Sequence, residues 1–406
     1  MTMRGRLIVL LVVCVGACTD DRPPAATEVR DSAGVRIVQN HRPAWSSSST
    51  WRLSSEPAVD FGPADTLYRI GPIVRLNDGR IVVANGSSSE LRVYSADGKP
   101  LRRIGREGAG PGEFRDISRM FAIANDSLLV FDILLRRASV FDPQGEFARA
   151  YIPPSLPNAA PMIEGRFGDG TLLVASQSPP TPDRRGLVRN RRSLWRLPEG
   201  AAAIQLAETP GREIFYQELP TGQVDFRRPY FGHAAYHTAG PDRLYWASTD
   251  TFEIKVHSLD GKLISLIRKQ HDYQSVSPAS ASPIIEKHVA TLSDAATAAS
   301  VRRHLSSMPV SGHAPALGWP AWASLSAPEL QVDADGNLWV VEFFMPDEER
   351  NARTVFDRDG VWLGSVRLPP RFMPRQIGSD FILGKWTDDL DVEHVRVYQL
   401  IKPGTQ

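Results

Sequence analysis

A short meander that cannot stand alone, repeated along the chain, is what most limits the fold of this sequence. Residues 76–104, LNDGRIVVANGSSSELRVYSADGKPLRRI, show it best. Asn77-Asp78-Gly79 and Ala96-Asp97-Gly98 are turn tripeptides, because Gly and Asn accept the positive φ of tight hairpins. Around them 80–84 is apolar and β-branched, 90–95 alternates, and 99–104 returns, which is the pattern of short antiparallel strands. A sheet this small does not bury both faces by itself. It needs copies.

The copies follow at 125–150, 167–200 (with an insertion), 240–267, 332–366 and 377–400. A short apolar segment precedes each unit (70–76, 119–124, 161–166, 232–237, 328–332 and 372–377), placed to serve as an innermost strand. Six units of four strands predict an all-β, six-bladed β-propeller over 35–401, an architecture that leaves only short protected edges. The last unit lacks a clear fourth strand, which 35–40 or 50–54 is expected to supply, closing the ring. A helical insertion is expected at about 282–307. Ser282-Pro283 suits a helix start, Ile285, Val289, Leu292, Ala296 and Ala299 keep helical spacing, and Ser293 offers a second cap.

The N-terminus stands apart. Arg4 and Arg6 precede the apolar run 7–13, and small residues follow at Gly16 and Ala17, as in a secretory signal too short to span a bilayer. Val15-Gly16-Ala17-Cys18 has the form of a bacterial lipobox, which makes 1–18 a lipoprotein signal peptide and Cys18 the lipidated residue. The only other cysteine, Cys14, lies inside the segment to be removed, so the mature chain has no disulfide to form. Residues 19–34, polar and Pro-containing, read as a flexible tether. The net charge of +1 gives no field to draw the chain to nucleic acid.

The repeat resembles the NHL repeat of six-bladed propellers. Val130-Phe131-Asp132, then Arg137-Ala138-Ser139-Val140-Phe141-Asp142, carry the likeness, and Gly105–Phe114 resembles the Gly-rich segment between blades. The resemblance extends to predicted bacterial lipoproteins of this build and implies a fold, not a reaction. Related propeller enzymes of the gluconolactonase kind hold a divalent cation with Glu, Asn and Asp from different blades. By that likeness Glu164, Asn85 and Asp132 have suitable chemistry, although no spacing marks them as a set.

In a meander the first and third loops of every unit fall on one face, and the second loops and inter-blade crossings on the other. The first face is all tight turns, whereas long excursions gather on the second: 176–192, 342–353 and 385–393 within units, and 105–117, 209–231 and 269–327 between them. Long loops on a rigid scaffold carry function, so the binding surface is expected there. Arg184, Arg185, Arg189, Arg191 and Arg192 make one loop strongly basic. It is either a grip for carboxylate or phosphate or a solvated surface. Arg75, Glu164, Arg166, His233, His237, Glu329 and Gln331 fall in the inner segments and are expected to line the channel. His233 and His237 share strand parity but stand too far apart to hold one ion. No phosphate-loop, zinc-protease or serine-hydrolase motif occurs.

The sequence therefore predicts a monomeric, lipid-anchored cell-envelope propeller that binds a small ligand or an envelope protein through its long-loop face, with no cofactor and no nucleic acid. The alternative is a hydrolase or lyase with a metal-assisted site, holding a divalent cation, at the channel mouth.

Overall fold

The computed structural model describes residues 25–62, 67–156, 161–177, 185–218, 222–290, 292–310, 312–318, 328–345 and 351–403. Six antiparallel sheets follow one another along the chain. Blade 1 is Ile70–Arg75, Ile81–Asn85, Glu90–Tyr94 and Pro100–Ile104, and blade 2 is Ile117–Ala122, Leu128–Asp132, Arg137–Phe141 and Phe147–Tyr151. Blade 3 is Met162–Arg166, Leu172–Gln177, Arg192–Leu197 and Ile204–Thr209. Blade 4 is Ala235–Ala239, Arg243–Ser248, Glu253–Ser258 and Leu263–Lys269. Blade 5 is Leu330–Val332, Leu338–Val340, Ala352–Phe356 and Trp362–Arg367, and blade 6 opens with Phe372–Ile377, Phe381–Thr387 and Glu393–Ile401. The turn glycines Gly79 and Gly98 take φ of 91° and 84°, the left-handed region open to a residue without Cβ.

The core is divided among the blade interfaces. Val93 and Val130 belong to the cluster between blades 1 and 2, Phe131 and Val174 to the next, then Leu173 with Leu244, Ile254 with Val340, Val355 with Tyr398, and Leu383 with Ile81. Six apolar seams, the last joining blade 6 to blade 1, require a closed ring.

Of the two segments expected to close the ring, 50–54 does so and 35–40 does not. Arg52–Leu53 and Val59–Phe61 both pair with Glu393–Ile401 and complete blade 6. Val35–Asn40 instead lies parallel to Leu263–Lys269, on the outer edge of blade 4. Part of the supposed tether is a strand as well, since Thr27–Ser32 forms a hairpin with Val35–Asn40 through Ala33 and Gly34, both at positive φ. Its polarity conceals it, because an edge strand wet on both faces carries no alternation. Between these strands Ala44 and Trp45 donate backbone bonds to Trp362 and Leu363 on the rim of blade 5 (2.9 and 2.8 Å). The segment 27–61 is thus a strap across blades 4, 5 and 6. Asn40, with no exposed surface, fastens it: its Nδ2 donates to Gly360 O (3.0 Å) and Arg268 O (3.1 Å), and its Oδ1 accepts from Trp362 N (2.9 Å).

The insertion between blades 4 and 5 is a helical pair, Pro278–Val289 and Ala295–Ser306. It starts one turn before the expected Ser282, at the cap Ser277, and Pro283 is carried inside the helix. The second helix is capped by Asp294, whose Oδ2 accepts from Thr297 N (2.5 Å), not by Ser293. Ile284, Ile285 and Leu305 pack with Phe231 and Phe343. A further three-stranded sheet, Gly186–Arg189, Glu213–Glu218 and Val224–Arg227, forms from the long excursions beside blades 3 and 4. Among the described residues no helix is long and apolar enough to cross a membrane.

Candidate functional site at the channel mouth

Inner strands run from the long-loop face toward the plain face, so residues early in them, and residues opening third strands, stand at the long-loop end of the channel. Four of these strands bulge there, and in two of them the residue left out is charged. Pairing of Met162–Arg166 with blade 3 skips Glu164, and pairing of Phe372–Ile377 with blade 6 skips Arg375. A bulge leaves its extra residue out of the ladder and re-aims its side chain.

Glu164 is the hub. Arg119 Nη2 of blade 2 donates to its Oε2 and Arg192 Nη2 of blade 3 to its Oε1, both at 2.5 Å. Burial opposes its ionisation, but the charges of Arg119 and Arg192 outweigh this and hold its pKa below the usual carboxylate value. His237 is desolvated between the same groups; burial first, then the Arg192 charge, lowers its pKa to about 4, so the imidazole is neutral.

Glu329, one residue ahead of the inner strand of blade 5, behaves oppositely. Burial raises its carboxyl to about 7, the Glu164 charge adding to the effect and Arg212 and Arg119 opposing it. Arg353, at the start of the third strand of blade 5 and 2% exposed, lies close enough to feel the Glu329 charge, and burial lowers its pKa to about 10. Arg375 is lowered to about 10 by burial and by Arg119. Tyr236 is raised far above its usual value by burial, with Glu329 and Arg212 beside it. Gly318 from the helical crossing lies on the Tyr236 ring at φ +95°, and a Cβ there would come within 2.3 Å of Cε2.

The arginine loop does not act as one cluster. Arg184 lies outside the described residues. Arg185 donates to Glu218 (2.9 Å), Arg189 to Asp250 (2.9 Å), and Arg191 pairs with Glu208, all away from Glu164. Only Arg192 turns into the channel. His233 precedes the inner strand and sits in a separate cluster. Its Nδ1 is 3.2 Å from Thr249 Oγ1, its amide donates to Glu213 (2.8 Å), and the His313 ring lies 5.0 Å away. His233 and His237 therefore do not form a pair. Arg75 and Arg166 reach toward the plain-face turns, Arg75 over the Phe381 ring (4.7 Å) and Arg166 beside Gly170. Gln331 Nε2 donates to Arg375 O (3.4 Å), tying blade 5 to blade 6.

Asn85 and Asp132 do not join Glu164 in a cation site. Asn85 Oδ1 accepts from Tyr68 N (3.0 Å), and Asp132 accepts from Arg115 N (2.6 Å), Asp116 N (2.9 Å) and Leu135 N (2.8 Å). Both brace loop backbone. Among the described residues no three His, Cys, Asp or Glu side chains come together in a way that would hold a metal.

Sequence reasoning missed Arg119, Arg212, Arg353 and Arg375 as channel residues. One signal was available. Arg192 and Arg353 both stand at the start of the third strand of their blades, after a long second loop.

The DUF5128 family model, described as a 6-bladed beta-propeller, matches residues 66–151. The chain is a six-bladed β-propeller. A member of the DUF4221 family from Bacteroides vulgatus is similar in structure at 12% identity and TM-score 0.46, over 87% of this chain and 99% of that one. A protein of Bacteroides fragilis described as exported is similar at 11% identity and TM-score 0.45, over 90% and 99%. Virginiamycin B lyase from Staphylococcus aureus is similar at 10% identity and TM-score 0.42, over 87% and 100%. A search of curated proteins finds no match.

Proposed function

We propose that this propeller is exported, tethered to the cell-envelope membrane as a monomer through lipidated Cys18, and binds a small ligand at the channel mouth on its long-loop face. The observation that carries this reading is the convergence of Arg119, Glu164, Arg192, Glu329 and Arg353 from blades 2, 3 and 5 at one end of one channel. Polar groups set on rigid strands around a concavity are what a ligand site requires. Side chains converging at the end of a channel favour a small ligand over a broad protein partner.

A second reading, a hydrolase or lyase at the same mouth, has one observation in its favour. Glu164 is held ionised while burial raises Glu329 to about 7, the separation that lets one carboxyl act as base and another as acid.

Native mass spectrometry of the protein purified under mild conditions from its own envelope tests the site. The wild type is expected to carry a small-molecule adduct that Arg192→Glu loses. An adduct retained by Arg192→Glu and lost on shortening a plain-face turn contradicts the placement. Cys18→Ala is expected to release the protein from the membrane, and retention would contradict the anchor.

A further inference from the structure

The large apolar side chains left exposed on this propeller are not spread evenly. Tyr68 lies just ahead of the inner strand of blade 1, Leu134 in the second loop of blade 2, and Ile152 just past the outer strand of blade 2. All three stand at the long-loop end, 62%, 67% and 73% exposed. Leu187 and Phe226 of the added three-stranded sheet join them on that side, at 45% and 67%. Among the described residues no large apolar side chain is exposed in a plain-face turn. Single exposed apolar residues are ordinary; a one-sided set points to something that covers it.

The chain enters the propeller at the same end. His41 N and Arg42 N donate to Ala26 O (2.9 and 3.4 Å), and Thr27 pairs with Asn40. Gln270 N, just past the outer strand of blade 4, donates to Asn40 O (3.0 Å). Residue 25 is therefore at the long-loop rim of blade 4, and only residues 19–24 separate it from Cys18. A chain of that length reaches at most about 25 Å. Blade 4, with strands of five to seven residues, is about 20 Å deep. A lipid on Cys18 thus holds the long-loop rim near the bilayer. The plain face could meet the bilayer only with 19–24 drawn out along the whole outer wall of the blade.

We infer that the long-loop face rests on the phospholipid surface, with Tyr68, Leu134, Ile152, Leu187 and Phe226 entering the layer just beneath the headgroups. The reach of the tether rests on Cys18 being the lipidated residue, whereas the one-sided apolar set is independent of it. Apolar side chains on a rigid rim strengthen a lipid anchor by the area they bury. The exposed Arg69 and Arg136, close in sequence to Tyr68 and Leu134, suit headgroup phosphates. Leu390, exposed on the same face, sits among Asp388, Asp389 and Asp391, which keep that loop off an anionic surface. The channel mouth then opens toward the bilayer.

The test uses introduced cysteines. Cys18 is consumed by the lipid and Cys14 lies in the removed segment, so a new cysteine is the sole free thiol. Leu134→Cys, Phe226→Cys and, on the plain face, Asp97→Cys are each made in the full chain and processed in a bacterial envelope. Each carries a fluorophore into vesicles of phosphatidylethanolamine and phosphatidylglycerol that contain a lipid spin-labelled just below its headgroup. Quenching by about half or more is expected at 134 and 226, with little at 97. Equal quenching at all three positions, or quenching at 97 alone, overturns the inference. So does its absence at 134 and 226 in protein that floats with the vesicles, a result that leaves the Cys18 anchor standing. Protein that does not float with the vesicles at all overturns both. None of these outcomes touches the channel site, which the adduct in Arg192→Glu decides.

Discussion

Glu164, itself largely buried, answers the exposed side chain of Arg119 and the part-buried Arg192 from a bulge, so its removal leaves two guanidiniums without the carboxylate between them. Glu164→Gln is expected to cost about 3 kcal/mol of unfolding free energy, since breaking a partly buried ion pair strands its partners. Chemical denaturation of the variant beside wild type measures it, and a loss below about 0.5 kcal/mol, the range of a surface pair, contradicts the hub role. Glu329 works in the other direction. Its folded pKa is raised from 4.5 to about 7, so its stabilising contribution is full below the unfolded value and is lost as pH rises through neutrality. Glu329→Gln is therefore expected to stabilise the fold by about 1–3 kcal/mol at high pH and by little in mild acid, as read from denaturation midpoints across pH. His237, lowered to about 4, acts oppositely: its contribution is present above 6.5 and is lost as pH falls toward 4.

Among the elements, the strap is the least obvious and the most consequential. Asn40 joins the outer strand of blade 4 to the third turn and outer strand of blade 5. Asn40→Ala leaves buried backbone groups without partners and is expected to cost about 3 kcal/mol, checked by thermal or chemical melts. Deleting 35–54 removes both the parallel strand on blade 4 and the Arg52–Leu53 pairing, and is expected to abolish the cooperative melt. A normal melt would show that the ring closes without it. The repeats were legible because Asp-Gly turns and β-branched runs encode local geometry. The strap was legible only in part: 35–40 and 50–54 read as strands, but Thr27–Ser32 lacks alternation, and a parallel partner more than two hundred residues away leaves no local mark. The bulges at Glu164 and Arg375 were hidden for a related reason. Register is a property of two strands together, so inner-strand membership predicted Glu164 as a channel residue but not its aim, and gave no hint of Arg353 or Arg212.

At the scale of the whole molecule, asymmetry organises the account. Tight turns occupy one face, and the three-stranded sheet, the helical pair and the long crossings occupy the other. That division was legible from loop lengths alone, because a meander fixes which connections share a face. The chemistry under those loops was only half legible, since arginines that look like one basic stretch disperse to Glu218, Asp250, Glu208 and Glu164. Hydrogen exchange of the wild-type protein, with and without its envelope-derived ligand, tests most directly whether binding belongs to the long-loop end. The account predicts new protection at 210–212, 228–234 and 341–345, with none at the plain-face turns 76–80 and 95–99. Protection at those turns, with the long-loop segments unchanged, would contradict it.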